Sequence, residues 1–198
     1  MTDEMDSKDL VERVRLIESM MAEGRRKTEN WGWSFVLWGV AYYAAMAWAT
    51  LGKSNLAWPV TMVAAALITA IGASRMAKGQ PETTLSRAVG GVWRAMGISI
   101  SVLLFSLSFA GRYEAHVFVA AFAAMLGMAN LASAIVLRWT AQYACAVVWL
   151  ACTVIASFGS DLATTAAILV TIFLCQIVFG IYAMTRDLRR RQSGAAHA

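Results

Sequence analysis

The residues able to do chemistry in this chain are few, and their spacing limits what that chemistry is. Cys145, Cys152 and Cys175 all lie in apolar runs. Cys145 and Cys152 are seven apart, so on a helix their Cα atoms stand about 10.5 Å from one another. A disulfide needs Cα atoms within about 7 Å, so these two do not bridge. They read as small core hydrophobes. No His or carboxylate falls at ligand spacing, so no metal is expected. The two histidines, His116 and His197, exclude a bis-histidine haem by inventory. A serine nucleophile needs a buried base beside it, and none is available. The chain is therefore expected to be non-catalytic and to need no cofactor.

Neutral polar and aromatic residues remain. Asn130 and Gln176 stand inside long apolar stretches, where an amide needs partners. With Tyr42, Tyr43, Ser101 and Trp149 they form a candidate seam for a small uncharged or amphipathic solute, or a lipid. Each also has a packing explanation. Serines in spans bond the carbonyl four residues back, and small residues at heptad spacing are usually helix contacts.

These residues need helices in a bilayer to position them. Of 198 residues, 59% are hydrophobic and only 15% charged, against about 45–50% and 25% in soluble domains. Six apolar segments fall near 31–51, 57–74, 89–110, 116–137, 140–158 and 162–184, each long enough to cross about 30 Å of hydrocarbon. Backbone groups in lipid must pair within the segment, so the spans are helices. The fold class is an all-α, polytopic six-helix bundle, with a short amphipathic helix before it. The domains read as an N-terminal segment 1–30, a membrane domain 31–184 and a basic tail 185–198. The absence of Asp, Glu, Lys or His from mid-span argues against a proton pump, a voltage sensor or a carboxylate-coupled transporter.

Charge sets the orientation. With an even number of spans the termini share a side, and fifteen of the seventeen Lys and Arg residues fall there; Lys53 and Arg112 lie opposite. Both termini are expected in the cytoplasm. The bases flank spans rather than forming a recognition element, so no nucleic acid is expected. Trp31, Trp33, Trp93, Trp139 and Tyr182 read as the inner aromatic belt, with Trp48, Trp58 and Tyr113 as the outer one.

In the fourth span His116, Ala120, Ala123, Gly127, Asn130 and Ala134 repeat every three or four residues, which predicts a central helix with close neighbours. The sixth span is expected to cover more lipid-facing surface. In the N-terminal segment Leu10, Val14, Ile17 and Met21 share one helical face. Asp6 or Ser7 is its expected start and Gly24 its end. That helix either docks on a cytoplasmic partner or a second copy through residues 7–24, or lies on the membrane or the bundle. The Gly79-Gln80-Pro81-Glu82 stretch reads as a break, followed by Thr83-Thr84 as a cap.

Leu16-Ile17-Glu18-Ser19-Met20, then Trp31-Gly32-Trp33 and Leu37-Trp38-Gly39 opening the first span, resemble small uncharacterised bacterial inner-membrane proteins with several spans. The resemblance covers residues 16–40 and the general layout, and it carries no activity and no site residue. Two functions remain at this point. One is binding or passing an uncharged or amphipathic solute or lipid through the seam. The other is a membrane sensor, scaffold or assembly subunit that presents its N-terminal helix.

Overall fold

The computed structural model describes residues 2–54, 56–76, 84–110 and 114–195. The Gly79–Glu82 break, Thr83, Tyr113 and His197 lie outside the described residues. Among the described residues eight α-helices follow in order: α1 (Thr2–Asn30), α2 (Gly32–Gly52), α3 (Ala57–Met76), α4 (Thr84–Phe109), α5 (Ala115–Leu137), α6 (Thr140–Phe158), α7 (Asp161–Ile172) and α8 (Phe179–Ala195). A π-helical turn, Phe173–Val178, joins α7 to α8, so the sixth span is one continuous helix that runs on past the apolar region. Six helices are long and apolar enough to cross a membrane, and the chain is a multi-pass, all-α membrane protein. The end of the bundle that carries both termini is called the terminal end below, and the other the far end.

The α5–α6 hairpin is the centre. Its turn is as tight as the sequence implies: Arg138 takes a left-handed conformation (φ 47°) and its N–H reaches the Ala134 and Ile135 carbonyls, while Trp139 N–H bonds Ala134 O at 3.1 Å. The small-residue stripe faces inward, with Ala123, Gly127, Asn130 and Ala134 all buried. A Cβ added to Gly127 would stand 2.9 Å from Leu150 Cδ2, so α6 fits against the groove that this glycine leaves open.

The sixth span is somewhat less buried than α5, as expected, but two residues expected on its lipid side, Ile172 and Phe179, are buried. It packs against α2, α6 and α5, and Thr171, Ile172, Cys175, Gln176 and Phe179 are buried, although Phe173, Leu174 and Val178 face outward. Widening the helix at the π turn lets the adjacent residues Cys175 and Gln176 both point inward. Cys175 Sγ reaches the Cys145 carbonyl of α6 at 3.6 Å, and Gln176 lies against Gly39 of α2.

The peripheral spans are α3 and α4. α3 packs on α2, burying Ala57 and Ala65 and leaving Val63, Leu67 and Ile71 exposed; α4 packs on α5 through Val89, Trp93 and Met96 and exposes Ile98, Val102 and Phe105. Those outward apolar rows are what a helix in lipid should show, because burying them in protein yields no hydrophobic gain there.

Two tryptophans depart from the belt pattern. Trp139 is buried against the Phe179 ring at 5.3 Å. Trp93 turns inward, its indole N–H donating to Ser133 Oγ at 3.0 Å and its ring meeting Phe35 edge-on at 5.2 Å. In each case a neighbouring ring, and not the headgroup layer, takes up part of the indole's area. Trp48 and Trp58 remain exposed, as belt residues should be.

Candidate functional site

The candidate seam resolves into several separate settings. Tyr42 packs edge-on to Phe122 at 5.5 Å, and Phe122 in turn meets Trp149 edge-on at 5.8 Å, giving an aromatic column across α2, α5 and α6. Trp149 is 0% exposed. Tyr43 donates its hydroxyl to the Leu169 carbonyl at 2.6 Å, one turn before the π segment, which ties α2 to the sixth span. Asn130, 2% exposed, donates Nδ2–H to the Leu126 carbonyl of its own helix at 2.9 Å. Gln176 is 4% exposed.

Ser101 is not brought to the others. It is exposed on the outer side of α4, where its hydroxyl bonds the Gly97 carbonyl at 2.9 Å. The reason is the side of α4 that packs: Val89, Trp93 and Met96 take the inner face, which turns Gly97 and Ser101 outward. A serine whose donor is spent on its own helix tolerates that position.

Of the remaining five, Asn130, Trp149 and Gln176 are buried, while Tyr42 and Tyr43 are half-buried. Their polarity is only partly matched. Asn130 Oδ1, both amide atoms of Gln142 and the Trp149 indole N–H are buried without a hydrogen-bond partner. All belong to the α5–α6 interface.

Two polar groupings at the helix ends complete the picture. At the far end the His116 ring joins three elements: Nδ1 faces the Ala156 carbonyl of α6 at 3.1 Å and the Thr164 hydroxyl of α7 at 3.2 Å, and Nε2 contacts the Asp161 carboxylate. An imidazole with acceptors at both nitrogens is best satisfied when both carry protons.

At the terminal end Glu29 is 1% exposed, yet it carries a carboxylate. Arg190 Nη1 lies 2.7 Å from Oε2 and Arg186 Nη1 3.9 Å from Oε1, both from α8. Arg191 Nη2 donates to Asn30 Oδ1 at 3.0 Å, and Lys27 Nζ to Ser86 Oγ of α4 at 3.2 Å. Burial pushes the Glu29 carboxyl above the ordinary glutamate range, with Arg190 and then Arg186 pulling the other way.

Sequence reasoning passed over this clamp, because Glu29 reads as one more acid in a polar segment. Its partners exist only because α8 stays helical to Ala195, where a tail was expected. Likewise α1 does not end at Gly24 but continues to Asn30 and starts at Thr2, ahead of Asp6 and Ser7. Gly24 is buried instead at a close approach, where an added Cβ would stand 2.6 Å from Leu137 Cδ2. Comparison with protein-family models, curated proteins and solved structures finds no match to this chain.

Proposed function

We propose that the chain is a non-catalytic scaffold or assembly subunit of the bacterial inner membrane, with both termini in the cytoplasm. It works through its terminal end: α1, clamped to α8 by Glu29 and Arg190, presents a polar surface with Glu12, Arg15, Ser19, Glu23 and Arg26 to a cytoplasmic partner. The single observation that carries this reading is the packing of the seam: Trp149 and Gln176 are buried against neighbouring helices, Tyr43 bonds the Leu169 carbonyl of the sixth span, and Asn130 spends its amide N–H on its own helix. The unmatched amides of Asn130 and Gln142 favour a second reading, a solute or lipid seam between α5 and α6.

Cysteine accessibility separates the two. With the native thiols replaced by alanine, Glu23→Cys is expected to react with a water-soluble maleimide in the folded protein, while Tyr43→Cys and Asn130→Cys react only after denaturation. Fast labelling at Asn130→Cys, slowed by an uncharged amphipathic solute, would overturn the scaffold reading and restore the seam.

Orientation has its own test. The fifteen-to-two division of bases is expected to make reporter fusions after Arg191 active only as cytoplasmic reporters, and insertions at Asn55 only as external ones. The reverse pattern would mean that a span has been miscounted.

A further inference from the structure

The α1 helix crosses the terminal end of the bundle instead of standing away from it. Within seven residues it passes from α8, at the Asn30–Arg191 and Glu29–Arg190 contacts, to α4 at Lys27–Ser86, and then over α5 at Gly24. Gly24 rests on Leu137, the last residue of the α5 span, so α1 lies at the depth where the apolar part of the bundle stops.

The face it turns toward the bundle carries Met21, Gly24 and Thr28, the last two buried. At 100° per residue, Leu10, Val14 and Ile17 continue that same face. From Gly24 back to Leu10 the helix runs about 21 Å further, and there all three residues are exposed, Leu10 at 58% and Ile17 at 56%. One continuous apolar stripe therefore covers protein at one end and is exposed at the other.

We propose that residues 10–21 lie in the membrane interface, with Leu10, Val14 and Ile17 against the lipid headgroup and acyl boundary beside the bundle. The argument is continuity: α1 is unbroken from Thr2 to Asn30, so the facing direction of the free stretch is set by its docked stretch, which meets the bundle at the end of the α5 span, and what lies beside a bundle at that level is lipid. The charge pattern names the kind of lipid contact. Residues 10–20 hold Glu12 and Glu18 against Arg13 and Arg15. Two acids and two bases give no net attraction to an anionic surface, so apolar insertion holds the helix and zwitterionic lipid suffices. This inference does not depend on the scaffold reading, because it concerns the opposite face of α1.

The test is spin-label accessibility on the full chain, with wild type as the labelling blank. Leu10→Cys, Val14→Cys and Ile17→Cys are compared with Glu12→Cys, Arg15→Cys and Ser19→Cys in nanodiscs of phosphatidylcholine. Labels at 10, 14 and 17 are expected to be open to oxygen and shielded from a water-soluble nickel relaxant, with the reverse at 12, 15 and 19. The pattern should be unchanged by high salt or by added phosphatidylglycerol. Nickel access at all six sites would overturn the proposal, as would shielding that appears only with two chains per disc, which would assign the face to a second copy. Shielding that needs anionic lipid would overturn the apolar mechanism. A second measurement guards against a label that perturbs the helix: Ile17→Glu is expected to speed tryptic cleavage at Arg13 and Arg15 several-fold while leaving the thermal midpoint of the bundle unchanged. Equal cleavage rates would count against lipid contact.

Discussion

Arg190→Ala is expected to destabilise the folded chain by about 2 kcal/mol, whereas Glu29→Gln, which removes a charge that burial disfavours, should change stability by less than about 1 kcal/mol. The asymmetry follows from who is left behind. Removing the arginine leaves a carboxylate that is almost wholly buried, with only Arg186 at 3.9 Å to answer it. Removing the charge on Glu29 leaves Arg190, whose side chain is 43% exposed and returns to water. That exposure is also why the figure sits below the 3–5 kcal/mol typical of a fully buried pair. Unfolding in detergent, followed by tryptophan emission, measures both variants, and Glu29→Met with Arg190→Met should recover most of the loss. Equal effects from the two single variants would mean that water reaches Glu29.

The clamp also sets a pH dependence. Burial raises the folded-state value of Glu29 above its unfolded one. Its contribution to stability is therefore fully present below the unfolded value and declines as pH rises through the folded one. The stability of wild type relative to Glu29→Gln should fall across the carboxylate range and level off above it. A difference that grows with pH would reverse the assignment.

What was legible in the sequence is what the bilayer enforces. The six spans were readable because lipid sets one length for every crossing, and the small-residue stripe of α5 was readable because it repeats along one helix. The meeting of two helices was not. Gly39 and Tyr43 stand four residues apart and so share one face of the first span, but nothing local says that they oppose Gln176 and Leu169. Ser101 shows the same gap from the other side: Gly97 and Ser101 form a good stripe on a helix that packs through its opposite face. Glu29 is the sharpest case, since its burial depends on a helical extension about 160 residues away whose composition, Arg186 to Arg191, reads as a basic tail.

Glycines make the point quantitatively. Gly32, Gly39, Gly97, Gly127 and Gly180 look alike in sequence, yet alanine is expected to act with different size and sign at three of them. At Gly180 an added Cβ would lie 2.8 Å from the Gly32 carbonyl oxygen and 3.0 Å from the Val36 amide nitrogen, both backbone atoms that no rotamer change can move. α2 and the sixth span must separate, so Gly180→Ala should destabilise by about 3 kcal/mol, the upper part of the overpacking range. At Gly127 the nearest atoms belong to the Leu150 side chain, which is 40% exposed and free to turn outward. Gly127→Ala should therefore fall near the lower end, about 1 kcal/mol. At Gly97 nothing lies within 4 Å, and removing backbone freedom should make Gly97→Ala neutral or stabilising by up to about 1 kcal/mol. Thermal midpoints of the three variants in one detergent would order them Gly97, Gly127, Gly180 from most to least stable. If Gly127→Ala were worse than Gly180→Ala, the α5–α6 hairpin, and not the α2 crossing, would be the least yielding contact in the bundle.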